Sequence, residues 1–136
     1  MAQVGLVVVS HSRPLADAAV ELARQMLPGR EQAIEVAAGT DDGGLGTDAV
    51  AISAAITAAD SGDGVVVLMD LGSAVMSAET ALEFLDDDLR ARVVLSPAPL
   101  VEGLVGAAVV AAGGGDRDRV AAEAALGLAP KQAHLS

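Results

Sequence analysis

An unbroken apolar run of strand length has both faces covered, as in the middle of a parallel sheet. Two segments read this way. The first, Gln3–Val9, stops at the polar corner Ser10-His11-Ser12; the second, Val65–Met69, stops at Asp70-Leu71-Gly72-Ser73. A weaker strand is predicted over Ala33–Ala38, nearer a sheet edge, and a fourth over Arg92–Leu95, followed by Ser96-Pro97-Ala98-Pro99. Between the strands the pattern changes to a helical period. From Pro14 the residues Leu15, Ala19, Leu22, Ala23 and Met26 share one face, and Pro28-Gly29 ends the helix. A second helix starts at Thr47 or Asp48, with Val50, Ile52, Ala55, Ile56 and Ala59 inward. A third runs from about Ala74 to Leu85, with Val75, Ala78, Leu82 and Leu85 inward, and ends at an acidic turn, Asp86–Asp88. Leu100–Ala112 reads as a buried helix broken at Gly113–Gly115, and Asp116 caps a last helix to about Leu126.

The order βαβαβαβαα predicts an α/β fold: a doubly wound, parallel four-stranded sheet with helices on both faces, joined by right-handed crossovers. No internal repeat or linker interrupts it. One domain is expected over 1–129, followed by a C-terminal tail over 130–136.

Composition narrows the function. The chain has 136 residues, 52% of them hydrophobic but only 1% aromatic, so small side chains must let helices and sheet approach closely. Phe84 is the lone aromatic, which disfavours stacking on bases or sugars. A net charge of −11, from 19 acids against 8 bases, disfavours nucleic acid and suits a basic protein partner. Without cysteine, disulfides and thiol catalysis are excluded, and a cytoplasmic location is allowed. The N-terminal apolar run is too short for a signal peptide or membrane span.

The chemistry gathers where strands run into turns. If the first and third strands are neighbours, their ends lie about 5 Å apart and His11 and Asp70 emerge side by side. A carboxylate accepting one ring N–H fixes the imidazole tautomer and leaves the other nitrogen outward as a nucleophile. The remaining edge groups, Ser12, Gly39, Thr40, Gly72 and Ser73, are small hydroxyls and glycines near helix N-termini, which suit a phosphoryl group. One His and one Asp are too few for a usual metal site, so no metal and no cofactor is expected. Taken singly, His11 also reads as a capping residue, Asp70 as a turn residue and the Gly39–Gly46 loop as a flexible connection. His134 lies in the polar tail.

Four stretches, in order, carry a family resemblance: VGLVVVSHSRPLADAAVELARQM, GTDDGGLGTD, GVVVLMDLGSAVMSAETALEFL and VVLSPAPLVEGLVGAAVVAAGG. The chain resembles the enzyme IIA domain of the mannose class of the bacterial phosphotransferase system (PTS). Within that class it is most similar to the phosphotransferase subunits of phosphoenolpyruvate (PEP)-dependent dihydroxyacetone kinases. The resemblance implies that His11 is the phosphoryl carrier, that Asp70 orients it, and that Gly39, Thr40, Gly72 and Ser73 line the site. It implies a pathway from PEP through enzyme I and the carrier HPr to His11, then to ADP held on the nucleotide-binding subunit of the kinase. It also implies a cytoplasmic homodimer. With the chain ending at Ser136, the HPr-like and enzyme I-like functions are expected on separate proteins. The absence of a following enzyme IIB region favours the dihydroxyacetone branch over enzyme IIA of a mannose-class sugar transport system.

Other classes of function make different demands. A metal chelatase or metal-binding protein needs a second ligand facing His11 across a cleft. A response-regulator receiver needs an acidic pair after the first strand and a lysine after the last, and the only lysine is Lys131. A dimeric scaffold would need no phosphoryl chemistry at all.

Overall fold

The structure, a computed structural model, describes residues 3–136, so the first two positions of the expected domain lie outside the described residues. Strands β1 (Gly5–Ser10), β2 (Ile34–Ala38), β3 (Val65–Met69) and β4 (Val93–Leu95) form one four-stranded sheet in the order β2-β1-β3-β4. Every neighbouring pair is parallel; Leu6 stands opposite Ile34, and Val9 opposite Met69. The helices are α1 (Arg13–Gln25), α2 (Ala49–Ala59), α3 (Gly72–Leu82), α4 (Asp87–Ala91), α5 (Leu100–Ala112), α6 (Arg117–Ala125) and α7 (Ala129–Leu135).

Side chains alternate across a strand, so each central strand feeds two cores. Leu6, Val8, Val66 and Leu68 pack with Ala16, Ala19 and Ala23 of α1, with α5 and with α6. Val7, Val9, Val67 and Met69 pack with Ile52, Ile56, Ala74, Ala78 and Ala81 from α2 and α3. The sheet is therefore covered on both faces, as the unbroken apolar runs predict. Fully burying a side chain of this size is worth roughly 1.5–3 kcal/mol. With Leu6 through Val9 all inaccessible to solvent, β1 is a firm base for the turn that follows it. Gly5 permits one close approach: a Cβ there would lie 2.1 Å from the Ala59 carbonyl oxygen at the end of α2.

Several helix faces differ from the sequence pattern. Leu15, Leu22, Met26, Val50 and Val75, expected inward, are exposed. In α1 and α3 alanines make the contact with the sheet, and the larger apolar residues flank that stripe. Small side chains let the helix axes sit close, so the face with least bulk goes inside. The acidic segment expected as a turn is a capped helix: Asp86 accepts from the Leu89 N–H at 2.8 Å and α4 follows. The segment from Pro130 is also helical, as α7, with no buried residue; Lys131 pairs with Glu102 of α5 at 2.7 Å.

Position in the sheet decides what meets at its C-terminal edge. From β1 the chain crosses through α1 to β2, whereas from β3 it crosses in the opposite direction to β4. The order reverses between β1 and β3, so α1 and α3 leave on opposite faces and a crevice opens between their starts. The residues after β1 and after β3 line that crevice.

Candidate functional site

His11 stands at the mouth of this crevice, its side chain 24% exposed, and the side chain of Asp70, 9% exposed, lies beside it. The aspartate is held from four directions. Its Oδ2 accepts from the His11 backbone N–H at 2.9 Å and from the Ser10 hydroxyl at 2.9 Å. Its Oδ1 accepts from the Leu71 N–H at 2.7 Å and lies 2.9 Å from His11 Nδ1. The other ring nitrogen, Nε2, is in hydrogen-bond contact with the Ser73 hydroxyl.

A carboxylate has about four lone-pair positions. Two backbone N–H groups and the Ser10 hydroxyl fill three of them, and the fourth faces Nδ1. Partial burial pushes the Asp70 carboxyl up, but the hydrogen bonds from the His11 backbone and ring, from Ser10 and from Leu71 outweigh it. The group sits below the ordinary carboxylate value and stays ionised at neutral pH.

The local sequence explains how the turn is shaped. Ser12 caps α1, its hydroxyl accepting from the Leu15 N–H at 3.3 Å, while Pro14 occupies the first turn where no N–H is needed. The 39–48 loop clamps the same turn from the β2 side. Gly39 N–H donates to the Ser10 carbonyl at 3.2 Å, and Gly46 N–H donates to the His11 carbonyl at 2.9 Å. Gly39 at φ 72° and Gly46 at φ 143° adopt backbone conformations that favour glycine, which accounts for glycine at these two positions. Thr47 ties the loop to α3 through Ser77 at 2.6 Å.

Of the residues singled out from the sequence, His11, Asp70 and Ser73 come together directly. Ser12 and Gly39 each donate a backbone N–H to Ser10, which in turn bonds Asp70. Gly72 opens α3, and a Cβ there would meet nothing within 4 Å. The Thr40 hydroxyl bonds Asp42 within the loop. Thr40, Asp41, Asp42, Thr47, Asp48 and Ala49 line an open acidic hollow of about 640 Å³ at the loop. Ser10 and Gly46 were not assigned a role from the sequence. The signal for Ser10 was available, since it is a hydroxyl closing an otherwise apolar, buried strand. Among the described residues, no group of three or more His, Cys, Asp or Glu side chains gathers as a metal-binding cluster. No helix among them is long and apolar enough to cross a membrane.

Comparison with known proteins identifies the family. The EIIA-man family, described as PTS system fructose IIA component, matches residues 5–121. The phosphoryl donor subunit DhaM of the PEP-dependent dihydroxyacetone kinase from Escherichia coli (strain K12) is 48% identical over 97% of this chain and 28% of its own length. DhaM from Pantoea ananatis is 50% identical with the same coverage. The chain thus spans under a third of those relatives. The DhaM of dihydroxyacetone kinase 2 from Listeria innocua is 40% identical over 78% of this chain and 84% of its own length. Among solved structures, EF1359, a protein of unknown function, superposes with a TM-score of 0.82 at 37% identity, covering 90% of this chain and 93% of the other. A sigma-54 interaction domain protein from Enterococcus faecalis, 14% identical with a TM-score of 0.69, shares the fold. With the order of the sheet, the paired turns after β1 and β3 and these matches in hand, the chain belongs to the EIIA-man family of the phosphotransferase system, alongside the DhaM phosphoryl donor subunits.

Proposed function

We propose that this domain is a transient phosphoryl carrier of a PEP-dependent dihydroxyacetone kinase system, with Nε2 of His11 as the atom that carries the group. The observation that bears most weight is the division of the imidazole. Its Nδ1 is committed to a carboxylate whose other acceptor positions are already filled, so Nδ1 holds the ring hydrogen. The lone pair then lies on Nε2, toward the start of α3. In the resting state it accepts from the Ser73 hydroxyl.

In the proposed step the Nε2 lone pair attacks the phosphorus of phospho-HPr. A new N–P bond forms as the donor's N–P bond breaks and the donor imidazole leaves. The ring becomes cationic, and Asp70, keeping the Nδ1 hydrogen bond, stabilises it. Ser73 turns its hydroxyl from Nε2 to a phosphoryl oxygen. The Gly72 and Ser73 N–H groups have no acceptor among the described residues and stand at the positive end of the α3 dipole, which favours the same oxygens. Ser12, Gly39 and Thr40 belong to the rim rather than to the first contact. In the second step a terminal phosphate oxygen of ADP on the kinase nucleotide-binding subunit attacks, the N–P bond breaks, and the electron pair returns to Nε2. Acidic Asp41, Asp42 and Asp48 beside the site suit a basic donor protein. The names of the relatives support the dihydroxyacetone branch. A homodimer in the cytoplasm completes the proposal.

The test is incubation with PEP, enzyme I and HPr, followed by intact-mass measurement. One added phosphoryl group is expected, labile in acid, stable in alkali and absent in His11→Ala. An acid-stable adduct, or one that survives that substitution, rules the reading out.

A further inference from the structure

We infer that Ser10 is a positioning residue for His11, acting through Asp70. The inference rests on the carrier reading of His11 and adds to it a residue outside the reacting set.

Ser10 is fully buried, so no solvent competes for its hydroxyl. A hydroxyl has one hydrogen to give. The Ser12 N–H points at the Ser10 oxygen from 3.1 Å and must be accepted there. The single hydrogen therefore goes to Asp70 Oδ2, at 2.9 Å. Both partners belong to the site: one is the carboxylate that faces His11, the other is the cap of α1. Ser10 thus holds the end of β3 to the start of α1 across the crevice, at the position where the sheet order reverses.

The backbone around it does not need this hydroxyl. Ser10 keeps its place in the sheet opposite Ala38, and its carbonyl accepts from Gly39 whatever its side chain. A buried hydroxyl carries a desolvation cost that an alanine would not. What it supplies is direction. With Oδ2 fixed by Ser10 and by the His11 N–H, rotation of the carboxylate is blocked and Oδ1 is held toward Nδ1. Without the hydroxyl, one acceptor position of Oδ2 is empty and only the His11 and Leu71 N–H groups restrain the carboxylate, so Oδ1 is held less tightly toward Nδ1 and the ring's single hydrogen-bond register is weakened.

The experiment compares wild type, Ser10→Ala, Ser10→Cys and Ser10→Thr. Cysteine keeps the shape but is a weak donor, and threonine restores the hydroxyl. Two readouts are taken: the rate of phosphoryl uptake from phospho-HPr, and the 15N signature of the His11 ring in the unphosphorylated protein. Wild type is expected to show one tautomer, hydrogen on Nδ1. The Ala and Cys variants are expected to show averaging between tautomers and uptake about tenfold slower, the scale on which partners of an orienting group act. Threonine is expected to recover the wild-type signature and most of the rate. Uptake and ring signals unchanged in both Ala and Cys would overturn the inference while leaving the carrier reading intact. Absence of uptake in wild type would instead remove the carrier reading, and the ring signature would still judge Ser10. If the Ala and Cys variants fail to fold, the wild-type proton spectrum decides: a Ser10 hydroxyl held on Asp70 exchanges slowly with water, and a freely exchanging one overturns the inference.

Discussion

The two ends of the sheet use polar residues in opposite ways. At the N-terminal end the polar contacts tie one segment of chain to another, although the buried Gln32 Oε1 has no partner among the described residues. Gln32 Nε2 donates to the Val4 carbonyl at 2.7 Å, Ala33 N–H donates to Gln3 Oε1 at 2.7 Å, and Arg92 pairs with Asp60 at 2.8 Å. These bonds join segments that enter the strands, and they hold chain to chain. At the C-terminal end the bonds converge on one carboxylate, and the chain of contacts runs outward from Ser10 through Asp70 and His11 to an exposed serine. One end is a set of ties; the other is a chain of contacts that runs through the His11 ring to the exposed Ser73 hydroxyl. Each is anchored on an aspartate, Asp60 at one end and Asp70 at the other. The difference lies in whether the last group of the network has a fixed protein partner or one that can move aside.

This contrast can be broken from either end. The largest effect is expected from Asp70→Asn. The amide cannot accept from four directions and offers N–H where Nδ1–H, or a backbone N–H, already points. Phosphoryl uptake should fall by about a hundredfold or more, through the wrong tautomer, with circular dichroism showing the fold kept. Uptake at the wild-type rate would remove Asp70 from the mechanism.

At the other end, Asp60→Asn should leave uptake unchanged and lower stability. Arg92 is open enough to solvent for screening, so the loss is expected at about 1 kcal/mol. Chemical denaturation and the uptake assay measure the two together. A slowed uptake would mean that the ends are coupled, and the contrast would fail.

The smallest effect concerns acid. The hydrogen bond and charge of Arg92 hold the Asp60 carboxyl below its ordinary value of 3.8. Asp70 is also held below that value, with burial pushing it up and its four hydrogen bonds prevailing. As pH falls below that value the unfolded chain binds protons first, so stability drops. The contribution is complete above it and is lost as the folded carboxyls protonate. Melting temperature should therefore decline on acidification, and less steeply in Asp60→Asn than in wild type. An identical decline would mean that the pair does not contribute.

Particular residues show how far the sequence was legible. The unbroken runs in β1 and β3 identify the two central strands, because burial on both faces leaves no polar alternation. Asp48 and Asp116 cap helices where their residue types predict it. The inward faces of α1 and α3 were less legible, since Leu15, Leu22 and Val75 outrank alanine in any hydrophobic pattern yet lie exposed. Close packing against a sheet selects for small side chains there, and periodicity does not weigh bulk. Thr40 is read from its position beside Gly39, but its hydroxyl is captured two residues along by Asp42.

By itself, then, the sequence determined what is local: which segments are strands, which aspartates cap α2 and α6, and that a histidine and an aspartate each follow a buried strand. Tertiary structure decided the rest. His11 and Asp70 are 59 residues apart, and they meet only because β3 pairs with β1 and the sheet order reverses between them. The same pairing aims the Ser10 hydroxyl at Asp70, leaving one acceptor position to face Nδ1. Propensity and burial act over a few residues, whereas the direction of a ring hydrogen depends on donors brought together from two turns.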